Sequence, residues 1–229
     1  MAKTQSRGTS PNHILSRLPA RDFGLLEPHL EAVDLPLRRQ LATRKKRIDH
    51  VYFVETGFAS VVANGSGKRQ IEIGLIGREG VTGLGVVMGN DRAPHDTFMQ
   101  VGGRGRRMSA ADLRQVDQQS PALHRSLLEY AHAFLIQTAQ TALANGRSRI
   151  EERLARWLLM ARDRLDSDDL PLTHEFLAIM LGTQRPGVTV ALHALEREGL
   201  VAIKRGTITI LDRKALEGSC NGTYFSPAG

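Results

Sequence analysis

The residues best equipped for chemistry lie close to the C-terminus, where residues 170–211 read LPLTHEFLAIMLGTQRPGVTVALHALEREGLVAIKRGTITIL. Thr173, followed by Glu175 and the apolar run FLAIML, predicts a helix with Thr173 as its N-cap. Gly182 closes that helix, because a glycine just past the last apolar turn takes up the left-handed conformation that ends helices. Thr183 opens a second helix that runs to Gly199 and turns Val188, Leu192 and Leu195 inward. VAIK and TITIL then alternate as two strands about the tight turn Lys204-Arg205-Gly206-Thr207. Helix, short turn, helix and hairpin together form a winged helix-turn-helix pattern.

In that arrangement the second helix enters a DNA major groove, and its N-terminal residues come nearest the base edges. Those residues are Thr183, Gln184, Arg185, Pro186 and Thr189. Arg185 can donate two hydrogen bonds to guanine O6 and N7, while Gln184 suits adenine or a phosphate. Thr183 and Thr189 suit sugar-phosphate contacts, as do Lys204 and Arg205 at the tip of the hairpin.

Other chemistries find little support. No Ser/His/Asp set or carboxylate pair appears, so no catalytic residue is assigned and the chain is not expected to be an enzyme. A cupin-like metal enzyme would need histidines and carboxylates on adjacent strands. Only His50 and His95 lie in the strand-rich region, and neither belongs to a metal-binding spacing, so no metal site or cofactor is expected. One cysteine, Cys220, cannot build an internal disulfide or a four-cysteine cluster within one chain. It lies in the tail GSCNGTYFSPAG and reads as an exposed, incidental thiol. The glycines between 57 and 89 read as turn positions, since no Gly-Lys-Ser/Thr follows them to cradle a phosphate. No apolar run reaches membrane-spanning length and no signal segment opens the chain, which implies a cytoplasmic protein without membrane contact.

The elements that position the C-terminal motif can be traced upstream. Residues 1–11 are small, polar and basic and read as a mobile tail. NHILSRL and PARDFGLLEPHL read as two short helices, with Pro19 where a helix can begin. From about residue 32 to 108, the β-rich runs VYFV, ASVVA, QIEIGLI, VTGLGVVM and TFMQVG alternate with glycine turns, as in an antiparallel roll or jelly roll. A long helix follows Pro121. Leu123, Leu127, Tyr130, Phe134, Gln137 and Thr141 recur along it at steps of three and four, like a coiled-coil seam. Leu128, Leu135 and Leu143 form a second stripe. A helix apolar on two faces has two surfaces to cover: the β-rich domain and a second copy of itself, or two packings within one monomer. The first stripe is assigned to the dimer. RIEERLARWLLMARDRL then begins a new helix. The expected fold is α+β: a roll with its N-terminal helices over 12–120, a dimerisation helix over 121–147 and a winged helix-turn-helix over 148–229.

This arrangement resembles the Crp/Fnr family of bacterial transcription regulators along nearly the full chain. The resemblance rests on HVYFVETGFASVV, IGLIGREGVTGLGVVMG, RIEERLARWLLMARDRL and, above all, LTHEFLAIMLGTQRPGVTVALHALEREGLVAIKRGTITI. It implies a homodimer on a near-palindromic double-stranded DNA site, RNA polymerase as a partner, and an effector signal carried by the long helix. The effector pocket would involve Gly80, Val81, Arg92, His95, Thr97 and Thr138. Cyclic-AMP-binding members carry Gly-Glu and then Arg-Ser or Arg-Thr in the roll. Here Gly80-Val81 and His95-Asp96 stand in their places, and neither valine nor aspartate suits the nucleotide. The effector is therefore left open, with a cyclic nucleotide or another small ligand as the alternative. The oxygen-sensing cluster lacks its cysteines, and haem would have to rely on a lone histidine such as His95. Pro186 replaces the acidic residue that usually follows the recognition arginine, which alters the base-reading surface.

Charge is a weaker guide than the local motif. The chain is 229 residues long with a net charge of +7, yet residues 151–229 hold 10 Lys+Arg against 11 Asp+Glu. The basic surplus sits upstream, in clusters such as Arg38-Arg39 and Arg44-Lys45-Lys46-Arg47.

Overall fold

The computed structural model describes residues 10–66 and 70–225. Most of the expected tail lies outside the described residues, but Ser10 is buried and donates to Glu55. Order therefore begins before residue 12. Asn12 caps helix α1 (His13–Arg17) with its side-chain oxygen, and its amide donates at 2.8 Å to the carbonyls of Val54 and Gly80. One buried polar side chain thus fixes the first helix to the sheet behind it. Helix α2 (Ala20–Leu26) follows.

Seven strands build the roll: β1 (Glu31–Leu35), β2 (Gln40–Ala42), β3 (His50–Val54), β4 (Phe58–Asn64), β5 (Gln70–Ile76), β6 (Asp96–Val101) and β7 (Gly103–Ser109). They form two antiparallel sheets in the orders β1-β7-β3 and β2-β6-β4-β5. Apolar residues from both, including Phe53, Val54, Met99 and Met108, fill the space between them. Hydrophobic alternation did not reveal β7, which reads GRGRRMS. Of its arginines, Arg106 pairs with Glu55 at 3.2 Å and Arg107, on the other face of the strand, with Glu31. Its glycines sit where the neighbouring backbone is close: a Cβ on Gly105 would lie 2.5 Å from the Phe53 carbonyl oxygen. The run VTGLGVVM, in contrast, is not a strand. Val81 makes one bridge to Phe53 and the chain then turns through a short 3-10 helix over Leu84–Val86, with Gly83 at φ +75°.

Helix α3 (Ala110–Gln119) leads to the long helix α4 (Pro121–Arg147), which Ser120 caps and Pro121 opens. Helix α5 (Ile150–Leu165) is held at its start by Glu152, whose carboxylate accepts from the backbone N–H of Arg149 at 3.0 Å. Beyond it come β8 (Asp169–Leu170), α6 (His174–Met180), α7 (Arg185–Arg197), β9 (Val201–Lys204), β10 (Thr207–Ile210) and α8 (Arg213–Gly218). Strands β8-β10-β9 form a small third sheet. Its core is continuous with one face of the roll, because Phe58, Val62 and Leu75 pack among Leu154, Trp157 and Leu158 of α5.

Cys220 is not the exposed thiol expected from the sequence. It is fully buried behind α8, its thiol donates to the Leu216 carbonyl at 3.3 Å, and burial pushes its pKa up to about 12. A thiol that stays protonated in this way is chemically quiet. Helix α8, capped by Asp212, is the element that covers it.

Candidate nucleic-acid interface

The two helices of the C-terminal motif form for local reasons. Thr173 accepts from the backbone N–H of Phe176 and starts α6. Gly182, at φ +58°, reverses the chain, and the N–H of Thr183 returns to the Ala178 carbonyl at 2.9 Å. This closure uses the last free carbonyls of α6 and sets the turn into α7. The second helix begins slightly later than the sequence implied, with Gln184 at the cap and Pro186 in the first turn. Proline fits there because its missing N–H would have had no partner within the helix.

Val188, Ala191, Leu192 and Leu195 are buried and seat α7 on α5 and α6. The opposite face is open. Gln184, Arg185 and Pro186 are exposed, and four and seven residues beyond Pro186 come Val190 and His193, also exposed. Val190 is 64% exposed, well away from the inward stripe. The sequence argument stopped at the first turn and passed over these two residues. The helical spacing from Pro186 is the signal that identifies them. A valine presented this way can meet the methyl group of a thymine.

Thr183 and Thr189 are half-buried. The hydroxyl of Thr189 donates to the Arg185 carbonyl at 3.1 Å and lies 3.0 Å from Nδ1 of His174. It thus holds α6 to α7 from within the motif and is less available to a phosphate than expected. Burial, followed by the charge of Arg185, lowers the pKa of His174 and favours its neutral form.

The hairpin stands as anticipated. Thr207 pairs with Lys204, and Arg205-Gly206 form the two-residue loop, with Gly206 at φ +77°. Lys204 and Arg205 are exposed at its tip. Glu196, which the sequence reading did not single out, ties this wing to α7. Its carboxylate accepts from the backbone N–H of Ile203 at 3.0 Å and pairs with His193 at 3.2 Å. The Ile203 bond, then His193, hold its pKa below the usual carboxylate value.

On α4 the structure seats the first apolar stripe within the chain. Leu123 and Leu127 are fully buried and Tyr130 nearly so, all within the chain. The ring of Phe134 rests on Gly74, where a Cβ would come within 2.8 Å of it. Gln137 accepts from the Leu75 N–H at 2.7 Å and donates to its carbonyl at 3.1 Å, and Thr141 donates to the Gln137 carbonyl. The stripe assigned to a dimer is therefore the one that seats α4 on the roll. The other face carries Leu128, Leu135, Ile136 and Leu143, each between 42% and 64% exposed.

The six residues expected around an effector are each engaged locally. Gly80 lies under Tyr130, whose ring would be 2.1 Å from a Cβ there, so the glycine admits the long helix rather than a ligand. Val81 is buried against Phe53. Arg92 is exposed and donates to the Lys45 carbonyl, while His95 is half-buried with its pKa lowered by burial and then by Arg44. Thr97 is buried within β6, between β2 and β4. Thr138 donates to the Phe134 carbonyl on its own helix. A cleft of about 290 Å³ does exist, but none of the six lines it. Among the described residues, no group of three histidine, cysteine or acidic side chains is placed to hold a metal, and no helix is long and apolar enough to cross a membrane.

Comparison with known proteins agrees with this geometry. Residues 152–218 match the family described as the Crp-like helix-turn-helix domain. A stretch of 107 residues is 32% identical to the nitrogen fixation regulation protein FixK of Bradyrhizobium diazoefficiens. It covers 44% of this chain and 45% of that protein, so the chain matches just under half of its relative's length. The whole fold resembles solved structures at low identity. A putative Crp/Fnr-family transcriptional regulator of Eubacterium rectale superposes with a TM-score of 0.71 at 19% identity, over 93% of this chain and 99% of that one. FixK2 of Bradyrhizobium japonicum superposes at 0.70 and 18% identity, over 82% and 96%. The α+β architecture and the likeness to Crp/Fnr regulators expected from the sequence are borne out.

Proposed function

We propose that this chain is a DNA-binding transcription regulator of the Crp/Fnr type, working as a homodimer with α7 in the major groove. The observation that carries this reading is the exposed row Gln184, Arg185, Pro186, Val190 and His193 on a helix whose other face is fully engaged. Arg185 reads a guanine, Gln184 an adenine or a phosphate, and Val190 a thymine methyl. Lys204 and Arg205 neutralise phosphates from the wing. Thr183 contacts the backbone.

The dimer forms through the open face of α4. Leu128, Leu135, Ile136 and Leu143 make a contiguous apolar strip of the kind that soluble monomers rarely leave exposed. His132, Ala139 and Ala142 lie along the same face, where the small side chains allow close approach of a second helix. A two-fold dimer places its two reading helices about 34–36 Å apart and selects a near-palindromic site. RNA polymerase is the expected partner at the promoter, and the cytoplasm the expected compartment. Selection of bound duplexes from random DNA by the purified chain tests the reading. Recovery of a two-fold symmetric consensus supports it, and recovery of unrelated sequences contradicts it.

A further inference from the structure

We propose that the cleft between α1, the Glu79 turn, α4 and α5 is a binding site for a zwitterionic α-amino acid with an apolar side chain. The cleft has a volume of about 290 Å³ and is walled by four separate parts of the chain. Such a volume lies at the small end of the range for ligand pockets. Two of its wall residues are buried yet leave polar atoms unsatisfied: the Tyr130 hydroxyl and Nε of Arg164 have no hydrogen-bond partner. Buried polar atoms normally find partners, and these two, closed off from solvent, leave the inner wall of the cleft incompletely satisfied.

The charges on the walls restrict what that occupant can be. Glu79 is already paired with Arg164 at 2.7 Å, with side-chain exposures of 15% and 3%. Arg17 on α1 and Glu129 on α4 both line the cleft, are exposed, and have no ion-pair partner among the described residues. The pKa of His13 is lowered by burial and then by Arg17 and Arg78, which favours its neutral form. Two cations therefore face two carboxylates, and the walls carry no net charge. A phosphate-bearing ligand would meet both Glu79 and Glu129 and be repelled. A ligand with one carboxylate for Arg17 and one ammonium for Glu129 suits the walls, and Ile14, Ala133 and Phe134 offer its side chain an apolar floor. An occupant would touch the roll, the long helix and Arg164 of the C-terminal unit at once.

Titration calorimetry of the full chain without DNA tests this independently of any DNA reading. The probes are L-phenylalanine, L-leucine, hydrocinnamate (no ammonium) and phenethylamine (no carboxylate). Saturable binding of at least one of the amino acids is expected. Loss of a charge-assisted contact is expected to weaken it about tenfold, in Arg17→Gln, in Glu129→Gln and in each one-charge probe. Both substitutions are at exposed positions and leave the fold intact. Absence of saturable heat with both amino acids overturns the proposal. So does binding that ignores both substitutions, or hydrocinnamate and phenethylamine binding as tightly as L-phenylalanine.

Discussion

Trp157 donates its indole N–H to a buried carboxylate oxygen of Glu72 at 2.6 Å, joining the first helix of the C-terminal unit to strand β5 of the roll. Ser60 donates to the other oxygen of the same carboxylate at 2.5 Å. The indole ring also meets Phe58 edge-on, with centroids 6.2 Å apart. Alongside, Arg164 pairs with Glu79 and Arg78 with Asp166 across the same boundary. The C-terminal unit is thus held to the roll by a shared core and by several polar links, among them the bond from Arg164 to the Leu75 carbonyl.

Glu72 makes stability depend on pH in a direction opposite to that of most carboxylates. Burial raises its pKa from 4.5 to about 7, even though the Ser60 and Trp157 bonds and the nearby Arg164 and Arg156 act to lower it. Between those two values the folded chain holds a proton that the unfolded chain releases. Its contribution to stability is therefore complete below about pH 4.5 and is lost as pH rises through 7, amounting to roughly 3 kcal/mol. Glu72→Gln retains both hydrogen-bond partners without a charge to desolvate. Urea unfolding across this range is expected to give a stability gap, variant minus wild type, that widens toward neutral pH. A constant gap would refute the assignment.

Gly80 should not tolerate a side chain. A Cβ there would overlap the Tyr130 ring at 2.1 Å, and displacing a packed helix from a sheet costs about 1–3 kcal/mol. Gly80→Ala is expected to lower the unfolding midpoint accordingly. Tyr130→Leu in the same chain should restore part of the loss, since it vacates the ring's space. An unchanged midpoint in Gly80→Ala would mean that α4 does not pack as described.

Whether the open face of α4 pairs two chains can be decided by charge. Leu135→Glu introduces a carboxylate at a position 64% exposed in the single chain. It is expected to leave the thermal midpoint of the monomer nearly unchanged while sedimentation shifts from dimer to monomer. Phe134→Glu, by contrast, is expected to destabilise the fold, because that ring sits on Gly74. Dimers that persist in Leu135→Glu would place the interface elsewhere.

In the proposed reading, the wing contributes affinity without sequence information. Removing two phosphate contacts by Lys204→Ala with Arg205→Ala is expected to lower the slope of log affinity against log salt by about 2 and to weaken all duplexes alike. Loss confined to one sequence would show that the wing reads bases.

Much of this was legible from local signals. Thr173, Gly182 and Gly206 announce a cap, a reversal and a hairpin turn, each set by the backbone preference of one residue, and so the C-terminal motif could be placed almost to the residue. The roll was recognisable from glycine-spaced apolar runs, but β7 was not, because arginines paired with Glu31 and Glu55 break the apolar alternation. The two stripes of α4 are similar in apolar content, and periodicity cannot say which one a neighbouring sheet will take. The notches at Gly74 and Gly80 decide it, and they exist only once β5 and the turn after it are assembled. Cys220 was misplaced for a similar reason: its cover, α8, is a short helix with little apolar periodicity of its own.

The claim that the chain reads DNA through α7 is tested most directly at Arg185. Affinity should be measured at one salt concentration for a selected duplex and for a scrambled one, with wild type and Arg185→Ala. Wild type is expected to prefer the selected duplex by a factor on the order of 10³ or more. The variant is expected to lose about 1–3 kcal/mol on the selected duplex, to change little on the scrambled one, and to relax preference at one base pair in each half-site. Equal losses on both duplexes would make Arg185 a phosphate contact, and a wild type that binds the two duplexes equally would contradict the account.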